Sequence, residues 1–267
     1  MELVIFQVDA FASAVFEGNP AAIIPLQQWL PDEVLQAIAM ENNVAETAFF
    51  LPMDSGYQLR WFTPTVEVDL CGHATLAAGH VLFEHLEHCG DEIVFHTRSG
   101  ELRVRRGQQG LTLDFPAAEL HGVPVLDAVC TALGSSAVAS EALIAKENPH
   151  AVVYVFATQQ QVAALSPNAA QLLAASEFSV IATAPGDKVD FVSRFFGPHV
   201  GIDEDPVTGS AHCSLVPYWA QRLGRGKLQA RQISARGGDL FCELKEGRVF
   251  MTGRAVTFLH GTVMVPG

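Results

Sequence analysis

Glu46 is the residue of this chain whose surroundings best suit proton-transfer chemistry. It lies in a run of small and apolar residues, 44–51, where both faces of the expected strand are largely apolar. A lone carboxylate in such a strand is costly unless it is paired. A carboxylate in dry surroundings is also a typical general base, which takes a proton from a substrate. The alternative, a glutamate at a strand end bonded to a neighbour, stays open on these residues alone.

Two helix starts led by glycine could hold an anion. Gly72 is followed by His73, and Gly209 is followed by Ser210. The first turn of a helix presents free backbone N–H groups, and a glycine lets a ligand approach the backbone closely. His73 could add a hydrogen bond or move a proton, and Ser210 could donate to the anion. The simpler alternatives are a histidine that caps its own helix and an ordinary first-turn serine.

Further polar residues lie beside these helix starts. Asp205 precedes a proline, which restricts it to an extended backbone, so it could orient His73 or a substrate. A solvated acidic turn is the alternative. Metal binding by residues 203–205 is a weaker option, because adjacent side chains seldom converge on one ion. Cys71 and Thr208 each precede a helix-leading glycine, and Cys71 is expected to be a small buried residue.

The chain contains an internal duplication. Residues 62–69 (FTPTVEVD) and 71–76 (CGHATL) match residues 196–203 (FGPHVGID) and 208–212 (TGSAH), at offsets of 134 to 137 residues. Looser matches in the same order begin at Asn19 and Asn148, at Pro31 and Pro167, and at Arg98 and Arg236. The offsets are close to half of the 267 residues and have the size of a whole domain. We therefore expect two similar domains with one site between them.

The expected elements indicate an α+β fold. The first domain is predicted at 1–117, with the last strand, about 256–267, as a candidate to complete it, and the second at 118–255. Each half contains many strands, hairpins and one or two helices, which is not the pattern of a Rossmann sheet. No Gly-x-Gly-x-x-Gly or P-loop motif follows a strand, so we expect no nucleotide cofactor.

The composition argues against several classes of protein. The 16 Lys and Arg residues against 29 Asp and Glu residues give a net charge of −13. An acidic chain is unsuited to nucleic acid and to anionic membranes. No apolar run reaches the roughly 18 residues of a membrane helix, and the first residues lack the features of a secretory signal. The five cysteines match neither a disulfide framework nor a zinc site, so we expect a cytoplasmic protein without a bound metal.

Four motifs together resemble the PhzF-like family of phenazine biosynthesis proteins. The resemblance spans nearly the whole chain, with the motifs in order. They are Gly18-Asn19-Pro20, residues 43–49 (NVAETAF), residues 71–75 (CGHAT) and residues 205–212 (DPVTGSAH). Each motif is weak alone, and the four together are specific.

The resemblance implies the diaminopimelate epimerase-like fold, in which two similar domains each wrap a strand barrel around a central helix. The family's characterised isomerase uses no cofactor and moves a proton within trans-2,3-dihydro-3-hydroxyanthranilate, with a glutamate as base and acid. By position, Glu46 resembles that glutamate, and His73, Asp205 and Ser210 resemble the other polar site residues. Related epimerases use two cysteines at places similar to Cys71 and Thr208, and a threonine breaks that pair.

Three hypotheses follow from these residues. The leading one is a cofactor-independent isomerase that acts on a small carboxylated, cyclic metabolite. Glu46, His73, Asp205 and Ser210 would be catalytic, and Gly72, Gly209 and Thr208 would bind the substrate. The second is a racemase or epimerase with a non-cysteine base pair, for instance Glu46 with His73, and the third is a catalytically silent small-molecule-binding protein. The family resemblance also leads us to expect a homodimer.

Overall fold

The computed structural model describes residues 1–147 and 149–265. Asn148 of the sequence repeat, and the last two residues of the predicted final strand, lie outside the described residues. The chain divides into two units. Unit 1 comprises Met1–Asp114 with the chain from Thr252 onward, and unit 2 comprises Phe115–Met251. Among the described residues, no helix is long and apolar enough to cross a membrane.

Unit 1 is built mainly of strands, with two helices. Its elements up to the division are β1 (Glu2–Ala10), β2 (Asn19–Pro25), α1 (Asp32–Asn42), β3 (Glu46–Pro52), β4 (Tyr57–Phe62), β5 (Glu67–Val68), α2 (Gly72–Glu84), β6 (Glu92–Thr97), β7 (Gly100–Gly107) and β8 (Gly110–Pro116).

Unit 2 also mixes strands and helices, and the final strand returns to unit 1. The elements are β9 (Leu120–Val123), α3 (Asp127–Ala132), β10 (Glu141–Ala145), β11 (Ala151–Val155), α4 (Gln159–Ala163), α5 (Ala169–Ala175), β12 (Ser179–Pro185), β13 (Phe191–Gly197), a 3₁₀ turn (Pro198–Val200), β14 (Ile202–Asp205), α6 (Gly209–Leu223), β15 (Lys227–Gln232), β16 (Gly238–Lys245), β17 (Arg248–Gly253) and β18 (Ala255–Met264).

The two units repeat one order of strand pairing. In unit 1, β2 is parallel to β3, β3 is antiparallel to β4, and β4 is parallel to β6. In unit 2, the corresponding strands β11, β12, β13 and β15 pair in the same way. The register sets Thr47 opposite Phe62 and Val180 opposite Phe196, and the sequence repeat matches these two phenylalanines; Glu46 and Ser179 each precede the paired residue. Glu46 and Ser179 therefore occupy equivalent positions in the two units.

A partly buried arginine bridge is repeated together with the strands. Arg60 donates to both carboxylate oxygens of Glu67, at 2.7 and 2.9 Å. Arg194 donates in the same way to Glu204, at 2.7 and 2.8 Å. Each guanidinium also lies over the phenylalanine ring two residues later, at 5.1 and 4.9 Å from its centroid. The duplication thus extends to side-chain contacts that the sequence blocks did not include.

Each unit packs strands against one long helix. α2 contacts β1, β2, β3, β7 and β18, and 11 of its 13 residues are buried. Gly79 permits this close packing, because a Cβ atom there would lie 2.8 Å from the side chain of Val104. α6 contacts β11, β15 and β16 in unit 2. The small and apolar composition of α2 is explained by burial on nearly all sides.

Pro217 lies inside α6, and a proline at such a position commonly kinks a helix or delays its start. The helix nevertheless runs from Gly209 to Leu223 and ends at Gly224 in the left-handed conformation. A proline has no N–H to donate to the carbonyl four residues earlier. The backbone N–H of Ala118 donates to that carbonyl, of Cys213, at 2.9 Å. A neighbouring segment therefore supplies the hydrogen bond to the Cys213 carbonyl that the proline cannot make.

Pro167 does not open α5, which begins two residues later. α5 starts at Ala169, and the side chain of Asn168 accepts a hydrogen bond from the backbone N–H of Gln171 at 3.0 Å. Asparagine is a strong N-cap, so it fixes the start more firmly than a proline at the first helical position.

Candidate functional site

Glu46 is the first residue of β3, and its side chain is 12% exposed. The strand can begin there because Asn43 ends α1 in the left-handed conformation, with φ of 48°, and redirects the chain. The residues that follow, Thr47, Ala48 and Phe49, are fully buried. The carboxylate is thus held at the end of a core strand, where only a small part of it meets solvent.

His73 is the second residue of α2 and is 4% exposed. The helix starts after Cys71, which has an extended backbone, and no side chain caps the first turn. The alternative of a histidine that caps its own helix is therefore wrong. The imidazole instead lies among side chains from β2, β3 and the residue before α2.

Three side chains of unit 1 surround the His73 ring. The Nε2 atom lies 3.0 Å from Oε2 of Glu46. On the other side of the ring, Nδ1 lies 3.2 Å from the Asn19 amide nitrogen and 3.5 Å from Cys71 Sγ. Neither Glu46 Oε2 nor His73 Nε2 has an aligned hydrogen-bond partner among the described residues. Buried polar atoms without a partner are rare in native proteins, and a catalytic role is one of the explanations for them.

The surroundings change the protonation of two of these groups. Burial raises the pKa of the Cys71 thiol to about 11, so the thiol is neutral at physiological pH. Burial by itself lowers the pKa of His73, but the negative charges of Cys71 and Glu46 outweigh burial, and the pKa lies well above its ordinary value. Because the thiol is neutral near pH 7, the Glu46 carboxylate is the charge that favours the imidazolium form there.

The Glu46 carboxylate, the Cys71 thiol and the His73 imidazole are also groups of the three kinds that commonly bind metal ions. Their arrangement is unfavourable for one ion. Cys71 meets the Nδ1 side of the ring, whereas Glu46 meets the Nε2 side. A single metal ion cannot use both nitrogens of one imidazole, so these contacts do not point the three donors at one ion.

Unit 2 contains a second polar cluster at the start of α6. The Thr208 hydroxyl donates a hydrogen bond to the Asp205 carboxylate. The Gln232 amide accepts from the backbone N–H of Thr208 at 2.9 Å and donates to the backbone carbonyl of Asp205 at 2.7 Å. All three residues are buried, with Gln232 fully so. The alternative of a solvated acidic turn at Asp205 is therefore wrong.

The helix start of unit 2 differs from that of unit 1. Gly209 is buried and Ser210 is half-buried, with Ser210 in the place that His73 has in unit 1. His212 is fully buried, and its Nδ1 lies 2.8 Å from the carbonyl of Thr208. Burial lowers the pKa of His212 to about 4, so this histidine is neutral and structural. The carboxylate of Glu204, the residue before Asp205, forms an ion pair with Arg194.

The structure thus brings Glu46 and His73 together within unit 1, and Asp205 and Thr208 together within unit 2. Sequence reasoning missed two residues of these clusters, Asn19 and Gln232. Asn19 could have been found, because it lies in one of the family motifs and has the repeat counterpart Asn148. Gln232 carried no signal, since a single glutamine in an alternating strand looks like a surface residue.

Known proteins match this chain over nearly its whole length. The family model described as phenazine biosynthesis-like protein matches residues 8–261. An uncharacterised isomerase of Pseudomonas aeruginosa is 51% identical, with 98% of this chain and 99% of that protein covered. The crystal structure of a PhzF-family phenazine biosynthesis protein from Enterococcus faecalis is 44% identical with a TM-score of 0.94, covering 99% of this chain and 100% of that one.

A more distant structure shows the wider fold. A hydroxyproline epimerase from Agrobacterium vitis superposes with a TM-score of 0.61 at 12% identity, covering 98% of this chain and 92% of that one. The predicted α+β duplication of the diaminopimelate epimerase-like type is confirmed by these structural neighbours. The enzyme class that the similar curated proteins support is an isomerase. The chain belongs to the PhzC–PhzF family of phenazine biosynthesis-like proteins.

Proposed function

We propose that this protein is a cofactor-independent isomerase that moves a carbon-bound proton within a small carboxylated, cyclic metabolite. Glu46 is the general base that removes the proton and the general acid that returns it at another carbon. The observation that carries the proposal is the buried pair of Glu46 Oε2 and His73 Nε2, 3.0 Å apart and each without an aligned hydrogen-bond partner among the described residues.

The surroundings of Glu46 suit proton removal from carbon. The carboxylate is nearly excluded from water, so few solvent molecules compete with a substrate for it. When it takes the proton, the electron pair of the C–H bond passes into the substrate's conjugated system as a dienolate. The Glu46 carboxyl proton can exchange with solvent while the dienolate is bound, and return of a proton from Glu46 to a different carbon restores the carboxylate and completes the isomerisation. Positioned proton transfer of this kind contributes about 10²- to 10⁴-fold in rate.

His73 is placed to stabilise the developing charge. Its Nε2 edge faces the same small volume as Glu46 Oε2, so an Nε2–H group can donate to a substrate oxygen as negative charge grows there. The uncapped first turn of α2, at Gly72, supplies backbone N–H groups for a carboxylate. In unit 2 we assign Asp205 and Ser210 to substrate orientation, as the family resemblance implies, and Thr208 and Gly209, at the start of α6, to substrate binding.

The test is hydrogen exchange in heavy water. Small unsaturated and cyclic carboxylic acids are incubated with the protein, and loss of carbon-bound proton signals is followed by NMR. For a substrate, we expect deuterium to enter at specific carbons as the double bond moves. Glu46→Gln should lower the exchange rate by at least about 100-fold. Glu33→Gln, a matched change on the exposed face of α1, should leave the rate unchanged.

Two results would reject the proposal. One is exchange that persists in Glu46→Gln, which would show that another group removes the proton. The other is tight binding of a carboxylic acid that is never exchanged or converted, with affinity unchanged in Glu46→Gln. That second outcome is what a catalytically silent binding protein would give.

An epimerase is the second candidate, favoured by the presence of two proton-carrying groups, Glu46 and His73, at one place. Such an enzyme would invert a stereocentre and leave every double bond where it was. Chiral chromatography of the product separates the two reactions. We also propose, from the family resemblance, that the protein acts as a cytoplasmic homodimer, and light scattering of the purified protein tests the dimer.

A further inference from the structure

The proton position on His73 is fixed by groups that the sequence analysis did not consider. A neutral imidazole carries its proton on one nitrogen only, and the partner of the other nitrogen decides which one. The two sides of the His73 ring meet partners of opposite kinds, and the assignment can be made from those partners.

The Nδ1 side of the ring faces hydrogen-bond donors. The Asn19 amide nitrogen lies 3.2 Å away, and an amide NH₂ group can only donate. Cys71 Sγ lies 3.5 Å away, and its thiol keeps its proton because burial raises the thiol pKa to about 11. An amide nitrogen and a protonated thiol on this side of the ring favour an Nδ1 that accepts.

The Nε2 side faces an acceptor. Oε2 of Glu46 lies 3.0 Å from Nε2, and an ionised carboxylate has no proton to donate. A lone pair on Nε2 would face a negative oxygen at close range, in surroundings that water barely reaches. A proton on Nε2 removes that repulsion.

We infer that Asn19 is a positioning residue that holds neutral His73 with its proton on Nε2, directed to the side of Glu46 and of the reacting substrate. The inference rests on the proposed function for its catalytic meaning, because an Nε2–H group is what can donate to developing negative charge there. Asn19 is fully buried at the first position of β2, so its side chain stays beside the His73 ring. Cys71 assists as a second donor to Nδ1.

The inference also accounts for how both protonation states of His73 can be held. The imidazolium form carries a proton on each nitrogen, and it keeps the Nε2–H group beside Glu46. An asparagine amide that turns by half a rotation presents its carbonyl oxygen to the new Nδ1–H group. An aspartate at this position could only accept, and would fix a proton on Nδ1.

Nitrogen NMR of the ¹⁵N-histidine-labelled protein tests the assignment without any substrate. The His73 signals are those absent from His73→Gln, and they are followed from pH 6 to pH 10. In the wild-type protein we expect neutral His73 to show a protonated Nε2 and an unprotonated Nδ1. In Asn19→Asp we expect Nδ1 to stay protonated to the highest pH reached. Asn42→Asp, whose amide contacts Thr47 instead, should leave the His73 signals unchanged.

The wild-type spectrum alone decides the central point, even if Asn19→Asp does not fold. A neutral His73 with its proton on Nδ1 would overturn the inference, and so would an unprotonated Nδ1 in folded Asn19→Asp. The proposed function fails separately. If the spectra of wild type and Asn19→Asp are both as expected but Glu46→Gln leaves hydrogen exchange intact, the isomerase mechanism is wrong and the positioning role of Asn19 stands.

Discussion

His73 Nε2 lies 3.0 Å from Glu46 Oε2, and both side chains are largely buried. The first residue of β3 is thereby joined to the second residue of α2. A carboxylate that is expensive to bury gains a partner that can be positively charged, which reduces the cost of burial. The same contact places a base and a proton donor side by side.

The pair should make stability depend on pH in a predictable direction. The pKa of folded His73 is raised, so the stability gained from its charged form is fully present below the ordinary histidine pKa of about 6.5. It is lost as pH rises through the folded pKa, and each unit of difference is worth about 1.4 kcal/mol. The stability advantage of wild type over His73→Gln, from urea unfolding, should therefore shrink between pH 6 and pH 10.

The exposed His121 in β9 offers a control for this experiment. The free-energy difference between wild type and His121→Gln should stay nearly constant over the same range. An advantage over His73→Gln that is constant, or that grows with pH, would contradict a raised pKa in the folded protein.

Cys71→Ser separates a one-carboxylate mechanism from a thiol mechanism. The serine hydroxyl can still donate to His73 Nδ1, and the thiol is neutral in any case, so we expect the exchange rate to stay within about tenfold of wild type. A thiol that carried the substrate proton would be worth about 100-fold or more. A loss of that size, absent from Cys130→Ser at another buried cysteine, would identify Cys71 as a proton carrier.

Gln232→Leu should destabilise unit 2. The change leaves the buried N–H of Thr208 and the buried carbonyl of Asp205 without the Gln232 amide, at about 1–3 kcal/mol for each group left unsatisfied. Gln229→Leu is a matched change at an exposed position of the same strand, and should stay within about 0.5 kcal/mol of wild type. Urea unfolding measures both, and equal effects would show that the Gln232 amide contributes nothing specific.

Arg194→Ala tests the repeated arginine bridge. The guanidinium side chain is 11% exposed, binds Glu204 through two nitrogens and also donates to the carbonyl of Leu165 at 2.7 Å. Loss of the guanidinium from this partly buried bridge, which also leaves the Leu165 carbonyl without its donor, should cost about 1–3 kcal/mol. Arg231→Ala breaks the exposed pair with Asp239 and should cost at most about 1 kcal/mol. An equal shift of the thermal unfolding temperature in both variants would contradict a larger stabilising effect of the Arg194 bridge.

Much of the fold was predictable because its signals are local or repeated. The helix from Gly209 to Leu223 and its end at Gly224 follow from residue types that any tertiary structure must respect. The duplication was visible because both units keep the glycine that opens their long helix. The continuity of α6 through Pro217 was not predictable, since the Ala118 N–H that satisfies the Cys213 carbonyl comes from about 100 residues earlier in the chain.

The sequence by itself determined the family, the duplicated α+β fold and the asymmetry of the repeat, in which His73 corresponds to Ser210 and Cys71 to Thr208. These follow from residue identities at aligned positions. Only the tertiary structure decided that Ser179 is the counterpart of Glu46, and that Asn19, Cys71 and Glu46 meet the same imidazole. Strand register and the docking of a helix on a sheet set those distances, and neither is encoded in any single stretch of chain.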